Sequence, residues 1–246
     1  VAEYREGIYV GYRYYDKKKI PVLFPFGHGL SYTEFEYSNL KLSADAVKES
    51  DKLTVSVDIK NVGEVTGKAV AQIYVKNLEN PKTDRVVREL KGFEKVELNP
   101  GETKTVTVTL DSRAFAYWNT ELHDWFVESG EYGIEVGASS RDIRQSKSVS
   151  VTGEKSIPLF VTDNTPYGDI EHQPGVDKIM EPILAGYLFG QDEGESAAEA
   201  ISPEMQAAMF AEMPLRNLLG FSDGSITSDD LNKAIDEMNK LGLVKK

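Results

Sequence analysis

The sequence contains no cysteine. That excludes a disulfide scaffold, a thiolate zinc site and a thiol nucleophile. Histidine is nearly absent: His28, His123 and His172 are far apart and show no paired metal-ligand spacing. Tryptophan occurs only at Trp118 and Trp125. No run of eighteen apolar residues exists, so no segment reads as a membrane-spanning helix. There is no G-x-S-x-G elbow for a nucleophilic serine. Gly27-His28-Gly29 lacks the third glycine and the strand–helix setting of a phosphate cradle. The chain opens at Val1 without a methionine or a signal-peptide pattern, so its first residue is expected to be a processing point or a cut into a longer protein.

What is present is a globular balance, 40% hydrophobic and 28% charged over 246 residues, enough for one large or two ordinary domains. The net charge of -12 opposes non-specific association with nucleic acid or an anionic membrane, and neither is expected as a partner. The acidity is uneven. Residues 154–246 hold 7 Lys+Arg against 17 Asp+Glu, leaving 21 against 23 for residues 1–153. The shift near Gly153 marks an expected boundary.

Three segments follow. Residues 1–36 are dense in aromatics, among them Tyr9, Tyr12, Tyr14, Tyr15, Phe24, Phe26 and Tyr32, and need a surface to pack against that so short a piece cannot supply. Ile8 to Asp16 fits neither the helical nor the strand period. In residues 37–153, period-two alternation recurs at Leu53, Val55, Val57, Ile59; at Ala69, Ala71, Ile73, Val75; at Val106, Val108, Leu110; and at Tyr132, Ile134, Val136. Turn chemistry lies between them at Asn61-Val62-Gly63, Asn99-Pro100-Gly101 and Ser129-Gly130. The expectation is an antiparallel sandwich of roughly seven strands. Residues 154–246 change to helical spacing. The stripes are Val176, Ile179, Met180, Ile183, Leu184, Leu188; then Met205, Ala208, Met209, Met213 after Ser202 and Pro203; then Leu231, Ile235, Met238, Leu241. Thr227 and Asp230 read as a helix cap. These narrow stripes are expected to drape on a larger body rather than fold alone.

Chemistry-bearing candidates are sparse. Asp223-Gly224-Ser225 with Asp229 and Asp230 lacks alternating calcium ligands and reads as a turn and cap. Asp16 lies beside Lys17, Lys18 and Lys19. Trp118 and Trp125 read either as a sugar-stacking pair or as core anchors, with the core preferred. The polar loop from Leu78 to Val87 reads as an exposed inter-strand loop, long enough to reach a neighbouring domain.

The motifs Glu6-Gly7-Ile8-Tyr9-Val10-Gly11-Tyr12-Arg13-Tyr14-Tyr15-Asp16 and Phe24-Pro25-Phe26-Gly27-His28-Gly29-Leu30-Ser31-Tyr32-Thr33 resemble the end of the α/β sandwich domain in glycoside hydrolase family 3. Glu89-Leu90-Lys91-Gly92-Phe93-Glu94-Lys95-Val96, Leu98-Asn99-Pro100-Gly101-Glu102-Thr103, Gly130-Glu131-Tyr132 and Val136-Gly137-Ala138-Ser139-Ser140-Arg141-Asp142-Ile143 resemble that family's fibronectin type III-like module. Val86-Val87 departs from it where relatives often have a proline. The tail, through Met213-Pro214-Leu215-Arg216, Phe221-Ser222-Asp223-Gly224 and Leu231, is similar to that of bacterial β-glucosidases.

The resemblance implies an immunoglobulin/fibronectin type III-like sandwich, preceded by the terminal segment of an α/β domain and followed by a helical tail. It also implies a retaining exo-glycosidase that removes terminal β-linked glucose with two carboxylates. Their motifs are absent here, so no residue of this chain is assigned as catalytic, substrate-binding or metal-ligating, neither Glu6 nor Asp16 takes such a role, and no cofactor is expected. The implied partners are the rest of the enzyme and a β-glucoside or cello-oligosaccharide, with the tail docking on the enzyme body or on a second copy in a homodimer. A free-standing carbohydrate-binding or adhesion module is the alternative. The absence of cysteine leans toward the cytoplasm, with secretion as the alternative.

Overall fold

A computed structural model describes residues 3, 5–79, 83–189, 208–222 and 224–245. The chain divides into two compact units, Val1–Lys155 and Ser156–Lys246.

The first unit is a β-sandwich preceded by the described part of residues 1–36. Its strands are β1 (Phe35–Leu42), β2 (Ala46–Lys48), β3 (Leu53–Asn61), β4 (Gly67–Asn77), β5 (Glu89–Leu98), β6 (Thr103–Leu110), β7 (Tyr117–Asn119), β8 (Asp124–Phe126), β9 (Gly130–Ser139) and β10 (Asp142–Thr152). One sheet runs β1-β3-β6, the other β2-β10-β9-β4-β5, and β7-β8 forms a separate hairpin. The alternating apolar sets meet between the two sheets: Leu53, Val55, Val57 and Ile59 are buried in one cluster with Ala69, Ala71, Ile73, Val75, Tyr132, Ile134 and Val136. At Asn99-Pro100-Gly101 the chain turns at the positive φ (75°) of Gly101, closing the β5-β6 connection.

One expectation changes, and one open segment is settled. Among the described residues the sandwich has eight strands, in line with the roughly seven expected, but it is not wholly antiparallel, because β2 joins β10 in parallel with Val47 beside Val151. Val47 is buried, yet three residues are too few to show a period. Ile8 to Asp16, ambiguous by pattern, ends in a short helix, α1 (Tyr12–Lys17).

The second unit contains α2 (Val176–Phe189), α3 (Asn217–Phe221) and α4 (Ser228–Lys240). These stripes, expected to drape on a larger body, also share a core of their own. Val176, Met180, Ile183, Leu215, Leu218, Leu231, Ile235 and Met238 form their own buried cluster, together with Val161, Ile170 and Leu243. Sequence pattern missed this because the closing pieces are irregular segments without periodicity. Leu159 N donates to Leu243 O (2.8 Å), Lys245 N to Ile157 O (2.8 Å), and the Asn239 side chain bonds both Val161 N and Val161 O. Thr227 and Asp230 form a reciprocal capping box on α4. Met213 and Phe210 pack against the cluster while Met209 is exposed. Leu241, expected in the stripe, is partly exposed beyond the end of α4. Ser202, Pro203, Met205 and Asp223 lie outside the described residues.

Candidate functional site

The outer face of the five-stranded sheet is where the first unit departs from a simple sandwich. On β4 the outward residues Gln72 and Tyr74 are buried as well as the inward ones. Residues 9–33 cover them. The Tyr12 ring stacks on Phe26 with centroids 4.5 Å apart and meets Tyr74 edge-on at 6.4 Å. The Tyr12 hydroxyl accepts from Leu90 N (2.9 Å). Gln72 Nε2 donates to Gly27 O (3.0 Å) and Ala138 O (2.8 Å), and its Oε1 accepts from the Tyr74 hydroxyl (2.6 Å). A Cβ on Gly27 would run into that amide, and its φ is +80°, so the motif glycine serves close backbone approach here. Ser140 N donates to Phe26 O (2.8 Å). Farther along, Thr33 Oγ1 donates to the buried Asn61 Oδ1 (2.6 Å).

Charge finishes the seam. Asp16 does not use its lysine neighbours; Arg141 Nε donates to Asp16 Oδ1 (2.8 Å) and Arg141 Nη2 to Ile20 O (2.9 Å). Arg13 pairs with Glu89 (2.9 Å), and Arg88 with Glu135 (3.1 Å) while also donating to Ser140 O. From the β4-β5 loop, Asp84 accepts from Lys17 (2.6 Å) and from the Tyr9 hydroxyl (2.5 Å). Those two bonds, Lys17 first, hold the Asp84 carboxyl below the usual aspartate range. Burial pushes the Tyr74 phenol well above its usual value, so it remains a neutral donor to Gln72. Tyr9, Tyr14, Tyr15, Lys17, Lys18 and Asp84 line an open groove of about 470 Å³ between this segment and the loop. The described part of the Leu78 to Val87 loop is therefore a strap across the segment.

The remaining candidates are scattered. His28 stacks on Phe24, His123 sits in an exposed turn at positive φ, and His172 lies 3.2 Å from Glu171. Among the described residues no group of three His, Asp or Glu converges as a metal set. Trp125 packs against the sandwich core, whereas Trp118 is 49% exposed. Sequence reasoning missed Gln72, Arg88, Glu135 and Arg141. A usable signal was Gln72-Ile73-Tyr74 in β4, where a large aromatic faces away from the sandwich core.

Residues 69–140 match the fibronectin type III-like domain family. Over 240 residues the chain is 45% identical to thermostable β-glucosidase B of Acetivibrio thermocellus, covering 98% of this chain and 31% of that protein. This chain belongs to glycoside hydrolase family 3. It corresponds to the C-terminal part of the family's β-glucosidases, and spans about a third of that relative's length. The family 3 β-glucosidase structure from Bifidobacterium adolescentis superposes with a TM-score of 0.61 at 39% identity, over 71% of this chain and 25% of that one. β-Glucosidase 3B of Thermotoga neapolitana, solved with α-D-glucose, gives 0.56 at 45% identity, over 61% and 20%. An exo-α-(1→6)-L-arabinopyranosidase of Bifidobacterium breve is 44% identical over 77% of this chain and 24% of its own length. Fungal β-glucosidases also match, so the likeness is not confined to bacteria.

Proposed function

We propose that this chain is the C-terminal portion of a retaining β-glucosidase acting on terminal β-D-glucosyl residues. In this reading it braces the enzyme and supplies neither catalytic carboxylate. One observation carries the reading. Residues 9–33 are pinned to the sandwich on one side, yet on the other Leu23, Leu30 and Tyr32 are 87%, 92% and 100% exposed. Three almost fully exposed large apolar side chains within ten residues mark an interface. The rest of a family 3 enzyme is the body that fits it, since that family's motif runs through these same residues. A free-standing binding module leaves the surface uncovered.

The substrate is a β-glucoside or short cello-oligosaccharide, bound by parts of the enzyme outside this chain. Near-equal identity to relatives named for glucoside and for arabinopyranoside cleavage supports a bracing role, since a portion that chose the sugar would separate them. A homodimer of the whole enzyme is compatible with this reading.

The test is complementation. The chain alone is expected to leave p-nitrophenyl-β-D-glucoside intact. Co-expressed with the remainder of the Acetivibrio enzyme, it is expected to co-purify with that remainder and restore hydrolysis. Turnover by the isolated chain, or failure to associate with the remainder, overturns the reading.

A further inference from the structure

The β7-β8 hairpin sets Trp118 directly opposite Trp125. Alternation sends Tyr117 and Phe126 to one side, where Phe126 is buried, and both indoles to the other. Trp125 stands at 75° to Trp118, centroids 5.6 Å apart, and forms a wall beside its half-exposed ring. The Arg113 guanidinium carbon lies 3.4 Å from the Trp125 centroid. Lys155 Nζ pairs with Asp124 Oδ2 (2.7 Å) and donates to Trp125 O (2.9 Å), which steadies the adjoining strand.

The surroundings select the occupant. Arg113, on the Trp125 ring, and Asp124, bonded to Trp125 N, are exposed, as are Thr120 and His123 in the hairpin turn. An apolar protein surface seated on Trp118 would strip water from these groups without replacing its hydrogen bonds. A pyranose with equatorial hydroxyls replaces them: its axial C–H bonds pack on an indole face while the hydroxyls reach outward to ionised side chains. The geometry points to an accessory site for a β-linked gluco-oligosaccharide on Trp118, with Trp125 as its wall and Arg113 and Asp124 as hydrogen-bond partners. The site stands apart from the proposed hydrolysis, because the chain alone is expected to bind without turnover.

Cellotetraose titrated into the intact 246-residue chain is expected to shift the indole emission saturably. Trp118→Gln should weaken binding about tenfold or more, the scale of losing a dominant aromatic contact. Trp118→Phe, which keeps an aromatic face, should retain most of it. Arg113→Ala should weaken it less, and Phe93→Ala, at an exposed aromatic elsewhere, not at all. β-1,4-Galactotetraose, whose linkages leave C4 axially and so break the flat run of equatorially linked rings, should bind more weakly. The proposal is overturned by an unchanged emission with cellotetraose, or by equal affinities for the wild type and Trp118→Gln. It is also overturned if the complementing remainder of the enzyme shields Trp118 from acrylamide quenching, which would make this face a protein contact.

Discussion

Gln72 offers the most direct test of how residues 9–33 are held. Gln72→Leu keeps the side-chain volume but removes two donated bonds, to Gly27 O and Ala138 O, and the acceptor of the buried Tyr74 hydroxyl. Each bond contributes about 1 kcal/mol net, and each buried group left unpaired costs about 1–3 kcal/mol. Water can reach some of these groups, so the loss should total about 3–5 kcal/mol rather than the full sum. For a unit of this size that corresponds to a fall in Tm of roughly 6–20 °C. Intrinsic fluorescence is the suitable probe, since Trp118 and Trp125 are the only tryptophans and both lie in the sandwich unit. Trypsin attack at Lys17, Lys18 and Lys19 should accelerate in parallel as the segment loosens. Gly27→Ala should also destabilise, and less so when Gln72 is replaced by Ala, because the collision partner is gone. A loss under about 1 kcal/mol for Gln72→Leu, with unchanged tryptic cleavage, would refute the idea that this amide ties the segment down.

Two further outcomes concern charge and capping. The folded-state pKa of Asp84 is depressed, so its bonds to Lys17 and Tyr9 stabilise the strap fully above the unfolded value of about 3.9 and lose that effect as pH falls through the lower folded value. Hydrogen exchange of residues 83–87, corrected for intrinsic rates, should therefore rise between pH 5 and 3 in the wild type. It should already be high in Asp84→Asn at pH 7; matching profiles for the two proteins would count against the strap. Thr227→Ala breaks the capping box and should cost the helical unit about 1 kcal/mol, read as faster exchange at the first turn of α4, and an unaltered rate would mean the cap is idle.

The sandwich was legible where strands were long and faced one way. Leu53 to Ile59 shows alternation because one face meets the core and the other is partly open to water; in Tyr132 to Val136 the alternating residues on the covered second face are Gly133 and the ion-paired Glu135. The pattern fades on β4, where the sequence runs almost continuously apolar through Ala69 to Val75, since residues 9–33 bury its second face. That loss of alternation was itself information: a strand covered on both sides implies a third layer. The same aromatics of residues 9–33 read as needing a surface, and half of the answer lies within the chain. The core of the helical unit was less legible, for the opposite reason. Its helices carry narrow stripes, but Val161, Ile170 and Leu243 close the core from segments with no period to read.

Trp118 and Trp125 show where pattern stops being decisive. In a three-residue strand, one face holds a single residue and the other two, so alternation cannot tell the core side from the water side. Both strands carry an aromatic on each side: Tyr117 with Trp118, and Trp125 with Phe126. The hairpin buries Phe126, and register puts both tryptophans on its other side, where Trp125 leans on the sandwich core and Trp118 stays half-exposed. Reading either one alone as a core anchor or as a sugar platform was a choice between faces that their pairing makes jointly. Because the two indoles share one side of the hairpin, a one-residue slip in either strand would move one indole to the other side and bring Tyr117 or Phe126 into its place. The hairpin's register therefore decides whether any aromatic platform exists on this unit.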